Sequence, residues 1–349
     1  TDPAAPKALW EFTHADLGYT YGEPQIGKLK NGTWVVMFAS GYNNVDGVDG
    51  VSGGSGVGKL FVLNAVTGAQ ITGSPISTGV GSATSPSGLA QITAPSSDPM
   101  QDPVVLGVYG GDLLGNLWRF DLNDEVGPSG IEAQLLAKLK DDDGKAQAIT
   151  TRPLVSKVQD EYIVLVTTGR YLSIDDNDID ETHSVYGLID RRESGTTAST
   201  AIYDNPRASA AADSDSNGFI VQEMEEVACP SDSPSYLCQS GEMVTRIKPN
   251  SIKPDYKVHN GWVIDLIHDE ERGNLNPVLA MGTLVINTNA PTDNPCDSGG
   301  KSYQYWLDYE SGGAVAADTP DNPGGLLGIK IADFLVGAPS VVVTGDGRV

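Results

Sequence analysis

Asp213, Asp215 and Asn217 alternate along the chain and are followed directly by Gly218 and Phe219. Oxygen donors at every second position with a glycine in the sixth are the pattern that wraps a loop around a hard cation, because the glycine permits the turn that gathers the oxygens. Asp213, Asp215, Asn217 and Phe219 therefore form the candidate calcium loop. Position twelve, where a bidentate Glu is expected, is Met224 with Glu223 and Glu225 beside it. A solvated loop of Asx turns is the competing reading.

The remaining polar groups suggest less chemistry. Asp175, Asp176, Asn177, Asp178, Asp180 and Glu181 form an acidic knot without a central glycine, which reads as an exposed loop. Asn44, Asp46 and Asp49 lie in a Gly-rich stretch, and Asp141, Asp142 and Asp143 are consecutive, so their side chains point to different sides. His14, His183, His259 and His268 fall in no ligand-pair spacing and read as surface or capping imidazoles. No Gly-x-Ser-x-Gly elbow, phosphate-binding Gly-x-x-x-x-Gly-Lys loop or dinucleotide fingerprint is present. Carboxylate pairs are too common in so acidic a chain to mark a glycosidase. No catalytic residue is assigned, and the chain reads as a non-enzyme.

The net charge of −24 repels phosphate and anionic lipid, so no nucleic acid partner is expected. No stretch approaches the ~20 apolar residues that cross a bilayer, so no direct membrane insertion is expected either. Cys229 and Cys238 bracket a turn-rich Pro-Ser-Asp-Ser-Pro-Ser-Tyr-Leu segment that brings two Cα atoms within bridging range. A disulfide there is the preferred reading, against two reduced thiols, and it implies an oxidising, extracytoplasmic compartment. Cys296 is left over and could exchange with either.

Positioning these groups falls to short strands. The 349 residues include 41 Gly and 21 Pro, with only 19% charged, which suits strands joined by tight turns. Apolar runs of strand length stand at Trp34–Ala39, Lys59–Leu63, Val104–Tyr109, Asn116–Leu122, Tyr162–Thr167, Ser184–Asp190, Gly261–Leu266, Thr283–Thr288 and Tyr303–Asp308. Several close on Asp or Asn before a turn, as at Asn64, Asp121, Asp190, Asp265 and Asp308. Such a residue is expected to accept backbone N–H bonds from that turn. These echoes at loose spacing indicate a repeat architecture, and a propeller tolerates insertions between repeats better than a solenoid does. The five tryptophans, Trp10, Trp34, Trp118, Trp262 and Trp306, are expected to pack between neighbouring blades. Residues 1–349 are expected to form a single all-β propeller domain or a segment of one. A stapled decoration is expected at about 193–241, with some helix around Ser209–Ala212. The start at Thr1-Asp2-Pro3, without Met, suggests a piece cut from something longer.

A family resemblance rests on particular residues. Leu9-Trp10-Glu11-Phe12-Thr13-His14-Ala15-Asp16-Leu17-Gly18-Tyr19-Thr20, Trp34-Val35-Val36 and Ser40-Gly41-Tyr42-Asn43-Asn44 come first. Tyr109-Gly110-Gly111-Asp112 through Leu122, Thr168-Gly169-Arg170-Tyr171-Leu172, Gly261-Trp262 with Asp265-Leu266, and Pro295-Cys296 with Gly299-Gly300 follow in order. Together they closely resemble PilY1-type pilus-tip proteins, over Thr1 to about Asp308. The resemblance implies a modified seven-bladed, quinoprotein-like β-propeller, of which this chain would hold about four to five blades. It also implies a secreted protein at the pilus tip or outer cell surface of a bacterium, with roles in type IV pilus biogenesis by counteracting retraction, in twitching motility and in adhesion. The implied partners are minor pilins, the pilus tip and a host or abiotic surface. In that family a regulatory calcium loop precedes the strand matching Tyr109–Leu113, but Ser97–Val105 here lacks the alternating acids. The alternatives are a quinoprotein dehydrogenase of the pyrroloquinoline quinone type and a calcium-dependent glycan-binding protein.

Overall fold

The structure is a computed structural model. It describes residues 7–45, 53–98, 100–126, 131–178, 181–192, 201–207, 218–229, 231, 238–249, 252–292, 299–316, 322 and 324–341. Regular structure is almost entirely strand, as expected for an all-β chain, and the chain divides into two compact units.

The first unit comprises Thr1–Ala137 and Arg192–Asp204. One sheet takes β1 (Gln25–Lys28), β2 (Trp34–Ala39), β3 (Lys59–Asn64), β4 (Ile76–Ser77), β6 (Ser96–Asp98) and β7 (Asp102–Val105), in the order β4-β3-β2-β1-β7-β6. The other orders β14 (Tyr203–Asp204), β10 (Glu132–Lys138), β9 (Asn116–Asp121), β8 (Val108–Gly111) and β5 (Ile92–Thr93). Consecutive strands pair antiparallel, while β7 joins β1 in parallel at Lys28↔Val104 after a long excursion. A parallel neighbour requires such a crossover, which a tight hairpin cannot supply.

The second unit comprises Lys138–Arg191 and Asn205–Val349. Its first sheet orders β11 (Leu154–Val158), β12 (Glu161–Thr167), β13 (Ser184–Asp190), β18 (Gly261–Asp265) and β15 (Phe219–Gln222). Its second orders β16 (Met224–Ala228), β17 (Met243–Ile247), β22 (Leu326–Ala332), β21 (Gly300–Asp308), β20 (Thr283–Pro291) and β19 (Val278–Ala280). Every residue of β13 is buried, so it runs apolar on both faces instead of alternating. Within the span 193–241, the described residues supply β14, β15 and β16 to three different sheets. Ser209–Ala212 lie outside the described residues.

The strand-closing residues behave as expected at three turns. Asn64 Oδ1 accepts from the Val66 and Thr67 N–H groups, and Asp121 from those of Asn123, Glu125 and Val126. Asp308 Oδ1 accepts from Glu310 and Ser311 N–H. Asp265 differs: it accepts from Ser184 Oγ at 2.7 Å and from the Arg207 guanidinium. Asp112, fully buried in the Tyr109-to-Leu122 motif, gathers Leu114 N, Asn116 N, Ser87 Oγ and the Trp118 indole N–H at 2.9 Å. Burial raises its pKa above the ordinary carboxylate range, and these donors offset part of that cost.

Two expectations need correction. Val104–Tyr109 is not one strand: Gly107 lies between β7 and β8, which belong to different sheets. An unbroken apolar run looks the same whether or not the chain changes sheets within it. The tryptophans also divide. Trp118 and Trp262 are fully buried, whereas Trp34 is 46% exposed on the face of β2 turned away from Val35 and Met37.

Trp262 is tightly packed in the second unit. Its cross-strand partner is Gly187, where an added Cβ would stand 2.4 Å from the indole nitrogen. On Gly312 a Cβ would stand 2.4 Å from the indole Cε3. The indole N–H donates to the Tyr309 carbonyl at 3.1 Å, which locks the ring between two glycines. Gly187→Ala should lower unfolding free energy by about 1–3 kcal/mol, since the ring has nowhere to move. Urea denaturation of the variant against the parent chain checks this.

Candidate functional site

The candidate calcium loop meets the described structure only at its end. Asp213, Asp215 and Asn217 lie outside the described residues. Phe219 opens β15 with its side chain fully buried, and the Gly218 carbonyl accepts from Asn260 N–H at 3.0 Å, so the loop's exit is moored to the sheet. The Cys229–Cys238 disulfide is present, with Cα atoms 6.0 Å apart. It clasps the β16–β17 hairpin at the sheet edge, where Cys238 packs on Val244 and Leu326. Closing a loop this short is worth about 2–3 kcal/mol in the chain-entropy account. Cys296 lies outside the described residues.

A charged centre outside every sequence motif lies in the same unit, on the Ile267–Gly273 connection between β18 and β19. Glu271 is 2% exposed. Its Oε1 accepts from the Thr288 hydroxyl and from the Tyr305 hydroxyl at 2.7 Å, and its Oε2 accepts from His268 N–H at 3.2 Å. Burial pushes its carboxyl up to about 7 despite those donors. Arg272, 1% exposed, pairs with Glu270 Oε2 at 2.6 Å and donates to the carbonyls of Asp176 at 2.5 Å and Arg170 at 3.2 Å. Its backbone exchanges both hydrogen bonds with Asn289.

The acidic knot is a partner in this centre. Ile174–Asp178 forms a 3-10 turn in which Ile174 and Asp175 are exposed, as expected, but Asp176 is only 5% exposed. Asp176 bonds Arg170 Nε at 2.7 Å and accepts from Leu172 and Ser173 N–H. The carboxylate is thus spent on an ion pair and a turn, which an acid count alone does not reveal. One histidine departs from expectation: His183 is 3% exposed, whereas His259, also buried, caps its turn by accepting from Asp255 N–H at 2.9 Å through Nδ1. Burial, with Arg272 and Arg170 nearby, holds His183 down at about 4 and therefore neutral. Asn44 is buried and donates to the Val57 carbonyl, whereas Asp46 and Asp49 lie outside the described residues. Asp141 closes a turn through Lys145 N–H, and Asp142 pairs with Arg207 at 2.9 Å. Among the described residues, no group of three or more His, Cys, Asp or Glu is placed to hold a metal ion. Among them also, no helix is long and apolar enough to cross a membrane.

A family model described as the PilY1 beta-propeller domain matches residues 11–206, more than half of the chain. The chain belongs to the PilY1 beta-propeller family. The type IV pilus biogenesis factor PilY1 of Pseudomonas aeruginosa strain UCBPP-PA14 is 28% identical over 352 residues, covering 90% of this chain and 29% of that protein. A PilY1 homolog of Xylella fastidiosa is 29% identical over 331 residues, covering 88% of this chain and 20% of that protein. This chain therefore spans less than a third of the relatives it matches. The crystal structure of the Pseudomonas aeruginosa PilY1 C-terminal domain superposes with a TM-score of 0.72 at 21% identity, over 99% of this chain and 74% of that one. That likeness carries the fold.

Within this PilY1-type propeller chain, the Thr168-Gly169-Arg170 motif gains a physical reason. Gly169 has φ of +150°, and a Cβ there would meet the Gly273 nitrogen at 2.7 Å, so glycine lets the Ile267–Gly273 connection approach. Arg170 then ties down Asp176. Within Ser97–Val105, Asp98 Oδ1 accepts from Met100 and Gln101 N–H in the β6–β7 hairpin. Glu271 and Arg272 were traceable only as a charged run, His268–Arg272, before a glycine between two strands.

A carboxyl that holds its proton more tightly when folded adds stability that is full below its ordinary pKa, near 4.5, and is lost as pH rises through about 7. His183 acts oppositely, losing stability as pH falls from 6.5 through about 4. The difference between Glu271→Gln and the parent isolates the carboxyl. The variant should gain stability relative to the parent as pH rises from 5 to 8, measured as urea midpoints across that range.

Proposed function

We propose that this chain is the propeller portion of a type IV pilus biogenesis factor: a non-enzymatic, extracellular protein at the pilus tip or outer cell surface that counteracts pilus retraction. The observation that carries the reading is the PilY1 beta-propeller match, together with curated relatives named type IV pilus biogenesis factors along most of this chain. The geometry is in keeping with it. Asp112, Asp176, Glu271 and Arg272 spend their polar atoms on turns and connections, which favours loops held rigidly for contact over groups free to react. The disulfide at Cys229 and Cys238 suits an oxidising compartment outside the cytoplasm. The proposed partners are minor pilins of the tip and the surface to which the cell attaches, with adhesion and twitching motility as outcomes. Removing the propeller region from the chromosomal protein should abolish surface pili and twitching, and deleting the retraction motor as well should restore the pili. Normal piliation in the first strain would refute the reading.

We also propose that calcium modulates this role through Asp213, Asp215, Asn217 and Phe219. The alternating acids and the moored Gly218–Phe219 exit support that choice. Calorimetric titration with calcium should show one saturable site that Asp213→Asn with Asp215→Asn removes. Identical heats in parent and variant would exclude this loop as the calcium site.

A further inference from the structure

A cavity of about 570 Å³ in the second unit lies beside the Ile267–Gly273 connection, lined in part by His268, Asp269, Glu270, Lys301, Tyr303 and Asp333. Its aromatic wall is a stacked pair: the rings of His268 and Tyr303 lie 3.8 Å apart and 6° from parallel. Tyr303 is 7% exposed, and among the described residues its hydroxyl has no hydrogen-bond partner. A phenol hydroxyl open to a cavity, with no protein partner among the described residues, can accept from a ligand group.

The charge around the cavity selects the ligand. Asp269 is exposed and has no ion-pair partner among the described residues. Glu270 shares its charge with Arg272 at 2.6 Å, and Asp333 with Lys330 at 2.8 Å. Lys301 opposes the carboxylates. Burial and then Glu271, Glu226, Asp333 and Asp269 together push the Tyr303 phenol up to about 12. The chain as a whole carries −24, which draws cationic partners toward it.

We propose that this cavity receives an arginine side chain of a partner polypeptide, its guanidinium lying against the His268–Tyr303 stack and donating to the Asp269 carboxylate and the Tyr303 hydroxyl oxygen. A planar guanidinium suits a carboxylate beside an aromatic stack better than a compact ammonium does, because it donates along two parallel N–H bonds and stacks on rings. The cavity is also far larger than a bare ion needs. The assignment uses only these residues and stands whether or not the pilus reading holds.

The test titrates the intact chain with N-acetyl-L-arginine amide and follows amide shifts by NMR, with the neutral isostere N-acetyl-L-citrulline amide alongside. Saturable shifts at His268–Glu270 and Lys301–Tyr303 are expected for arginine and not for citrulline. Asp269→Asn and Tyr303→Phe, each checked for an otherwise unchanged spectrum, should each weaken binding roughly five-fold or more, as loss of a hydrogen bond to a charged group does. Equal binding of citrulline, an unchanged affinity in Asp269→Asn, or no saturable binding would overturn the proposal. So would methyl glycosides occupying the cavity in preference to arginine.

Discussion

The indole of Trp262 is wedged where two sheets of the second unit meet. Gly187 on one strand and Gly312 in the turn after β21 leave it no lateral freedom, and the Tyr309 carbonyl takes its only polar hydrogen. The surrounding core draws on both sheets, with Ile163, Leu165 and Ile264 from one and Leu284, Ile286 and Tyr305 from the other. Because interiors pack at crystal-like density, a large rigid ring in such a slot fixes how the two sheets meet. The connections that follow these strands inherit that position.

Charge burial is the second constraint. Arg272 and Glu271 are adjacent in sequence but turn to different partners, one to the Asp176 turn and the other to Thr288 and Tyr305. An ion removed from water is costly unless its hydrogen bonds are replaced, and here each is matched by fixed acceptors or donors. The result is a connection pinned at Glu271 and Arg272, with exposed Asp269 and Glu270 just before them. Side chains so placed are held in register for recognition without being part of the core.

Much of the fold was legible in the residues. Trp34–Ala39 and Ser184–Asp190 appear as strands with the expected bounds, and Asn64, Asp121 and Asp308 cap the turns after their strands. β10, with the sequence Glu-Ala-Gln-Leu-Leu-Ala-Lys, carries good helix formers and no strand signal, yet lies between β9 and β14. Its place beside β9 overrides local propensity, as sheet context commonly does. The Cys229–Cys238 pairing was legible because the eight turn-forming residues between the two cysteines bring their Cα atoms within bridging range. Glu271 and Arg272 were not, because an exposed charged run and a buried, satisfied one are written with the same letters.

What the sequence determined by itself was the class of structure and the family: short apolar runs closed by Asp or Asn, and motifs such as Tyr109–Leu122 whose Asp112 accepts backbone N–H bonds. Those signals are local, since strand length, turn chemistry and a cysteine loop all act within about ten residues. Only the tertiary structure decided that Val104–Tyr109 splits between sheets, that Asp176 is buried against Arg170, and that Tyr303 opens onto a cavity beside Asp269. Each depends on residues far apart in the chain arriving at one place. Burial, and with it the protonation and the partners of a side chain, is a property of that arrival.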